Sequence, residues 1–197
     1  MAAHPDKLAR AILAREEHER ARRLDLEALW QRIARYTIPR RATFTEEVSR
    51  GVHRNRFVLD STAPRSLELF ASFLHTLLNN PATQWFKINV EDDVELNKDT
   101  QVRKWMENTQ KRMLRIMSSQ SANLYPQLHQ VYIDLGAFGT AVMYVETDDA
   151  GRLRLRAYHL ADCLITENSA GFVDGMYRQF KLSPRQAKQR WPDRPLG

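Results

Sequence analysis

The densest group of side chains that could do chemistry is a run of acids in residues 91–99. Clustered carboxylates can hold Mg²⁺ or Ca²⁺, and a bound metal could support nuclease chemistry. The spacing and the glycine of an EF-hand are both missing, and no lysine stands at the spacing that nucleases use. We therefore predict no metal site and expect the acids to favour the positive end of a following helix. The acids are Glu91, Asp92, Asp93, Glu95 and Asp99.

Two glycines in residues 136–146, GAFGTAVMYVE, could belong to a phosphate-binding loop. A P-loop reads GxxxxGK[ST] and runs from a strand into a helix, whereas here a predicted helix precedes a predicted strand. The backbone N–H groups would then point away from a phosphate. We predict a tight turn instead, with Gly136 at the end of the helix and Gly139 in the turn.

No combination of residues predicts a catalytic centre. His159 and Asp162 have no nucleophile at the spacing of any known motif. The single cysteine, Cys163, can form neither an internal disulfide nor a CxxC metal pair. The sequence therefore predicts a protein that is not an enzyme and uses no cofactor.

Arginines are grouped at two places where guanidinium groups could contact phosphate. One is the loop of residues 40–56, and the other is a predicted strand on which three arginines alternate with apolar residues. The alternative for the loop is that it is solvated. The alternative for the strand is that its arginines pair with acids of a neighbouring subunit or face solvent. The candidate phosphate or inter-subunit contacts are Arg40, Arg41, Arg54, Arg56, Arg152, Arg154 and Arg156.

Composition indicates a folded chain with a modest basic excess. The 197 residues carry a net charge of +6, with 43% hydrophobic and 27% charged residues. A basic module that binds nucleic acid without catalysis is one interpretation of this charge. No apolar run approaches the roughly 18 residues that cross a bilayer, and no signal peptide is recognisable, so no membrane contact is predicted.

Residues 59–90 are the stretch that should organise the fold. Apolar residues recur at spacings of three and four from Leu67 to Leu78, so we predict a helix buried on more than half of its circumference. Asp60 and Ser61 are suited to cap its start. Asn79, Asn80 and Pro81 should end it, and a strand is predicted over residues 85–90.

The other elements are predicted in the same way. We expect a long charged helix over residues 5–36, helices over residues 100–117 and 124–135, and a central strand over residues 141–145. A hairpin partner over residues 152–158 and strands over residues 163–166 and 171–182 follow, with a bulge at Gly175. Asn123 and Ser183 are suited to cap helices.

These elements predict an α+β fold in which several amphipathic helices pack on a small, mainly antiparallel sheet. Residues 1–36 form the charged N-terminal helix, and residues 37–58 form the Arg-rich loop. Residues 59–182 form the α/β core, and residues 183–197 begin a further helical region. Because the chain stops soon after that helix begins, we expect it to be an N-terminal fragment of a longer protein.

An ordered series of motifs resembles the portal, or head-to-tail connector, protein family of T7-like short-tailed phages. The series begins with WQRIARYTIP, FVLDSTA and PATQWF, and it continues with SANLYPQLHQVYIDLGAFGTAVMYVE and GMYRQFKLSPRQ. Each piece alone is unspecific, but their order and spacing are shared with the family. The positions that carry the family motifs are Asp60, Ser61, Thr62, Pro81, Trp85, Phe86, Gly136, Gly139 and Thr140.

The resemblance implies a structural subunit of a ring, with about twelve copies, at one vertex of a phage capsid. Double-stranded DNA would be packaged and ejected through its channel. The implied partners are other copies of the chain, the terminase, and capsid and tail adaptor proteins. The implied location is the virion, and the host cytoplasm during assembly. The part present here resembles the outer α/β wing of such a subunit, and the channel-lining helices would follow residue 197.

Overall fold

A computed structural model of the chain describes residues 5–46, 51, 53, 54, 57–90 and 93–192. These residues form an α+β fold, which confirms the predicted class. The chain divides into two compact units. One is Asp25–Leu160, and the other combines Met1–Leu24 with Ala161–Gly197. The division of the sequence into four functional segments stays a prediction.

Helices account for most of the regular structure. The helices are α1 (Pro5–Arg22), α2 (Leu24–Thr37), α3 (Thr62–Leu78), α4 (Val94–Lys98), α5 (Thr100–Met117), α6 (Leu124–Phe138) and α7 (Pro184–Arg190). The strands are β1 (Val142–Thr147), β2 (Leu153–Tyr158), β3 (Cys163–Glu167) and β4 (Val173–Arg178). Short 3₁₀ turns lie at Pro39–Arg41 and Leu160–Asp162. Instead of one small sheet, the described strands form two separate antiparallel pairs, β1–β2 and β3–β4.

The predicted single helix over residues 5–36 is wrong, because the helix is interrupted at Arg23. The Arg23 N–H donates to the Arg20 carbonyl at 3.0 Å, a tight turn that closes α1. Asp25 and Glu27 then occupy the first turn of α2, where acids favour the positive end of a helix. The spacing of apolar residues does not predict this interruption, because the residues on both sides of Arg23 keep a helical pattern.

The main helix packing in the Asp25–Leu160 unit is between α3 and α6. Ala71 of α3 is fully buried. Gly136 of α6 has no side chain, and a Cβ there would come within 2.7 Å of Leu67 Cδ1 and 2.8 Å of Phe70 Cδ1. The glycine therefore lets α6 approach α3 closely. Gly136 does not end the helix as predicted, because α6 continues to Phe138.

The predicted burial of α3 on more than half of its circumference is wrong for the single chain. Ala71 is its one buried residue among those described, whereas Leu69, Phe73 and Leu77 are 67%, 62% and 63% exposed. The three exposed residues are spaced by four, so they form one stripe along the helix. Only one side of α3 is covered by α6, and the second apolar face remains open.

The β1–β2 hairpin is antiparallel, with Val142 opposite Tyr158 and Thr147 opposite Leu153. The prediction that β1 is a central strand is wrong, because β1 is paired on one side only within the described residues. Leu155 of β2 is buried with Ala122 and Leu124 at the start of α6. The Leu155 N–H also donates to the Ala122 carbonyl at 3.0 Å, which fastens the hairpin to that helix.

In the second unit, β3 and β4 form an antiparallel hairpin, with Cys163 opposite Arg178. The register shifts between Thr166 and Glu167, opposite Gly175 and Val173, and this irregularity confirms the predicted bulge. Helix α1 contacts β3 in the same unit.

The cap of α7 is also formed as predicted in this unit. The Ser183 side chain accepts a hydrogen bond from the Gln186 backbone N–H, and the Gln186 side chain accepts one from the Ser183 N–H. This reciprocal pair is a capping box. The proline that follows the cap suits the first turn because its missing N–H would have no intrahelical partner.

Candidate functional site

A buried ion pair fixes the start of the arginine-rich loop to α6. Arg41, in the 3₁₀ turn after α2, donates from Nη1 to Asp134 Oδ1 at 2.5 Å and from Nη2 to Asp134 Oδ2 at 3.0 Å. The Asp134 carboxylate is completely buried. Burial raises the pKa of Asp134 above its ordinary value, and the Arg41 charge opposes that shift. The bidentate geometry orients the loop at the point where it leaves α2.

His159 completes the attachment of this turn. Its Nε2 donates to the Arg41 carbonyl oxygen at 2.7 Å, which fixes the tautomer with the hydrogen on Nε2. The ring packs at 5.1 Å from Phe44 and at 6.0 Å from Phe138. Burial, and then the nearby Arg41 charge, lower the pKa of His159 to about 4. The imidazole is therefore neutral at physiological pH.

Gln31 of α2 holds the first residues of the loop. Its Nε2 donates to the Ala42 carbonyl at 3.1 Å, and its Oε1 accepts from the Phe44 N–H at 2.8 Å. Phe44 in turn packs against Trp30 and Phe138, with ring centroids 5.6 and 5.0 Å apart. The beginning of the arginine-rich segment is thus a turn held in place by hydrogen bonds and aromatic packing, and not an unattached loop.

The remaining loop arginines have different environments. Arg40 is exposed. Arg54 donates to the Arg40 carbonyl oxygen. Arg56 lies outside the described residues. Of the four candidate contacts in this loop, Arg41 is already satisfied inside the chain, while the prediction for the others stays open.

The arginines of the hairpin are partly neutralised by their own strand pair. Arg152 contacts Asp148 in the turn, with Nε 2.9 Å from Oδ2. Arg156 Nε lies 3.4 Å from Glu146 Oε1 on the facing strand. Arg154 is exposed and forms no ion pair with another described residue. The hairpin arginines therefore do not form one free cationic face.

The motif residues before α3 form its start. Asp60 Oδ1 accepts a hydrogen bond from the Thr62 N–H at 2.7 Å, and the bonds from Thr62 lower the pKa of Asp60. Ser61 occupies the N-cap position, but its side chain forms no capping hydrogen bond. The predicted capping role is thus confirmed for Asp60 and wrong for Ser61.

The motif residues after α3 form a turn and a packed aromatic pair. Pro81 lies in the turn that follows Asn80, whose Oδ1 accepts from the Ala82 N–H at 2.9 Å. Trp85 packs against the cluster of Ala122, Leu124 and Leu155, and its ring lies 4.9 Å from that of Phe86. The strand predicted over residues 85–90 is wrong, because this segment has no regular secondary structure and pairs with no described strand.

The motif residues after α6 end that helix. Gly139 adopts a left-handed conformation with a φ of 73°, and its N–H donates to the Leu135 carbonyl at 2.9 Å. This is a glycine C-cap, and the tight turn that the sequence predicts is confirmed. Thr140 is half-buried in the short link to β1.

Several residues that shape this part of the chain were not predicted. Asp134 and His159 are the main ones, and the signal for Asp134 is an acid on the otherwise apolar stripe of α6. A polar seam between α3 and α6 was also missed. There, His129 Nε2 lies 2.8 Å from Glu68 Oε1.

The same seam contains three further polar side chains. Tyr132 donates from its hydroxyl to Asn79 Oδ1. Burial lowers the pKa of His75, with a smaller contribution from His129. The apolar pattern of a single helix does not predict these contacts, because the partners lie on different helices.

Two acids of residues 91–99 cap the starts of helices α4 and α5. Asp93 Oδ1 accepts from the Leu96 N–H at 2.9 Å, and Asp99 Oδ1 accepts from the N–H groups of Gln101 and Val102. The predicted electrostatic role at helix starts is therefore confirmed for these two acids. Glu91 and Asp92 lie outside the described residues. Among the residues that the structure describes, no group of three or more His, Cys, Asp or Glu could hold a metal ion.

These contacts attach loops to helices, and within the described residues an apolar stripe of α3 and one edge of β1 stay uncovered. In the described part of the chain, no helix combines the length and the apolar character needed to cross a membrane. Comparison with known proteins defines the class further. Residues 9–197 match the family model of the bacteriophage head to tail connecting protein, and the chain belongs to this family.

Two curated relatives are similar to the chain along most of its length. One is the probable portal protein of Bordetella phage BPP-1, which is 30% identical over 176 residues, covering 89% of this chain and 31% of the relative. The other is the portal protein of Salmonella phage epsilon15, which is 29% identical over 170 residues, covering 86% and 30% respectively. The chain thus spans less than a third of the length of these relatives.

Proposed function

We propose that this protein is a structural subunit of a phage portal, or head-to-tail connector, ring through which double-stranded DNA is packaged and ejected. The single observation that carries the proposal is the family match over residues 9–197. The subunit has no catalytic role in this proposal. It acts at the capsid vertex of the virion and is assembled in the host cytoplasm.

The partners in this proposal follow from the ring. About twelve copies of the chain associate with one another, and the ring contacts the terminase, capsid proteins and tail adaptor proteins. DNA passes through the assembled channel. The described residues correspond to the outer wing of the subunit, which is consistent with their α+β architecture of small hairpins and amphipathic helices.

Two structural features support a role in an assembly. The apolar stripe of Leu69, Phe73 and Leu77 is exposed on α3, and large exposed apolar patches mark interaction sites in soluble proteins. The Arg41 and Asp134 side chains form an ion pair with each other, so the pair holds the loop against α6 and does not act as a reactive site.

The arginines give limited support to the alternative of a basic nucleic-acid-binding module. Arg41, Arg152 and Arg156 pair with acids of the same chain. The prediction that Arg40, Arg54, Arg56 and Arg154 contact phosphate or a neighbouring subunit stays open. An independent DNA-binding module would show an affinity that falls steeply with salt, because bound phosphates release counterions.

The function is tested by removing the gene from the phage or prophage that carries it. We expect infected cells to accumulate heads that contain no packaged DNA, and we expect the gene supplied in trans to restore filled heads. Electron microscopy of purified particles and nuclease-protected DNA are the two readouts. Filled, infectious particles from the deletion strain would contradict the proposal.

A further inference from the structure

The outward side of α5 carries positive charge that no described residue neutralises. Five cations stand on this helix with one acid, Glu107. All five cations are exposed, and none of their side chains forms an ion pair or a hydrogen bond with another described residue. The cations are Arg103, Lys104, Lys111, Arg112 and Arg115.

The cations form a row along the helix. Lys104, Lys111 and Arg115 are separated by seven and four residues, so they lie one above another on the helical surface. Arg112 borders this row, and the buried Met106 lies on the opposite side of α5. At 1.5 Å per residue, the row from Lys104 to Arg115 is about 16 Å long.

A helix that only faces solvent usually balances its charges, as α1 does. Acids alternate with arginines on α1, and Arg20 Nη2 lies 2.6 Å from Glu16 Oε1. On α5, by contrast, Lys111 and Arg115 are like charges four residues apart, and such pairs repel. Arg103 lies at the start of α5, where the helix dipole disfavours a cation. A bound anion would relieve both unfavourable interactions.

The basic surface continues across the groove beside α5. Lys87 is exposed and lines a cavity of about 560 Å³ together with Lys111. Lys87 also lines a second cavity, of about 220 Å³, together with Arg103. Its side chain forms no ion pair with a described residue. Six cations and the acid Glu107 therefore share one surface of the Asp25–Leu160 unit.

This surface fits a polyanion with closely spaced charges. Duplex DNA carries one phosphate charge per roughly 1.7 Å of its axis, so about ten phosphates lie along a row of this length. An acidic surface of a second copy fits less well. The described acids that form no ion pair with a described residue lie on separate elements, such as Glu17 on α1, Asp25 on α2 and Glu167 on β3.

The composition of the face favours a duplex over a single strand. Proteins that bind single strands stack successive bases on several aromatic side chains. Trp105 is the one aromatic residue of α5, and it is 66% exposed at the edge of the cationic row, next to Arg112. The remaining exposed positions of the row are lysines and arginines, which contact phosphates without reading the bases.

We propose that the cationic face of α5, together with Lys87, binds the phosphate backbone of double-stranded DNA. The inference rests on the proposed function for the source of that DNA. All six cations belong to one chain, so the binding itself does not require a ring. The six residues are different from the loop and hairpin arginines that the sequence predicts as phosphate contacts.

The binding is tested by fluorescence anisotropy of a labelled DNA duplex that is titrated with the purified protein at several salt concentrations. One variant removes four cations of the α5 row, and a matched control removes two lysines and two arginines from exposed positions of α1 and α7. The α5 variant is Lys104→Gln/Lys111→Gln/Arg112→Gln/Arg115→Gln. The control variant is Lys7→Gln/Arg10→Gln/Arg15→Gln/Lys188→Gln.

We expect the α5 variant to lose at least about 100-fold in affinity at about 50 mM salt, because four phosphate contacts and their released counterions are lost. The slope of log affinity against log salt concentration should become shallower by about 3 to 4. The control should keep the wild-type slope, although it has the same net charge as the α5 variant. Circular dichroism and thermal unfolding show that both variants are folded.

Three results would overturn the inference. They are equal losses of affinity in the two variants, tighter binding to single-stranded DNA of the same length, and competition by polyglutamate as strong as that by unlabelled duplex at equal charge concentration. A wild-type protein that forms rings but does not bind the duplex would also overturn it, and it would leave the proposed function intact.

Discussion

Asp134 and Arg41 show how two residues far apart in sequence decide where a loop begins. The Asp134 side chain is 1% exposed, and the Arg41 side chain is 20% exposed. Taking such charges out of water is costly, and the cost is offset only by close, well-oriented pairing. Arg41 was predicted as a phosphate contact because arginines cluster around it, and sequence could not show that its partner lies on α6.

Removing one member of this pair should destabilise the protein more than removing both. Asp134→Leu leaves the Arg41 guanidinium without its carboxylate, and we expect a loss of about 3 kcal/mol of unfolding free energy. The double variant Arg41→Met/Asp134→Leu should regain most of that loss. Urea unfolding followed by tryptophan fluorescence measures both. Equal losses in the single and double variants would show that the pairing itself is unimportant.

His159 should make the stability of the fold sensitive to acid. Its pKa is about 4 in the folded chain against an ordinary value of 6.5, so between these values the unfolded chain binds more protons. The unfolding free energy is therefore highest above pH 6.5 and decreases as the pH falls towards 4. The shift corresponds to about 3 kcal/mol.

The test compares wild type with His159→Gln, which keeps a donor near the Arg41 carbonyl but does not titrate. Unfolding free energies at several pH values between 7 and 4 give the difference between the two proteins. We expect the wild type to lose stability relative to the variant as the pH falls. Parallel curves for the two proteins would refute the role of His159.

At the scale of elements, the sequence pattern predicts an element correctly where that element depends on contacts between residues close together in the chain. Helices α5 and α6 and the β1–β2 hairpin follow from the spacing of apolar residues and from a turn containing Gly151. Two failures concern partners that a pattern cannot show. No described part of the chain covers the apolar stripe of α3, and residues 84–90 have the side-chain pattern of a strand but pair with no described strand.

The end of α6 depends on backbone conformation at Gly139. A side chain there would meet nothing within 4 Å, so a substitution acts through the φ of +73° alone. We expect Gly139→Ala to cost about 1 kcal/mol of stability, because L-residues with a Cβ are strained in this region. Gly139→Asn should cost less, since asparagine tolerates it. Thermal unfolding measures both, and equal stabilities of Gly139→Ala and wild type would contradict the assignment.

At the scale of the whole molecule, the ordered motifs predicted the family, and the family model confirms it. The motif residues proved to be helix starts, turns and packing positions: Asp60 begins α3, and Gly136 allows α3 and α6 to approach. Their roles are structural inside one chain. The surfaces that would meet a neighbouring copy could not be predicted, because a sequence pattern does not distinguish an apolar residue buried in its own chain from one covered by another.

We propose that this chain is a subunit of a closed ring. Mass photometry and negative-stain electron microscopy of the purified protein test this proposal most directly. We expect ring-shaped particles with a central channel and a mass near twelve subunits. Monomers at every protein concentration, with no rings on the grid, would contradict the proposed ring.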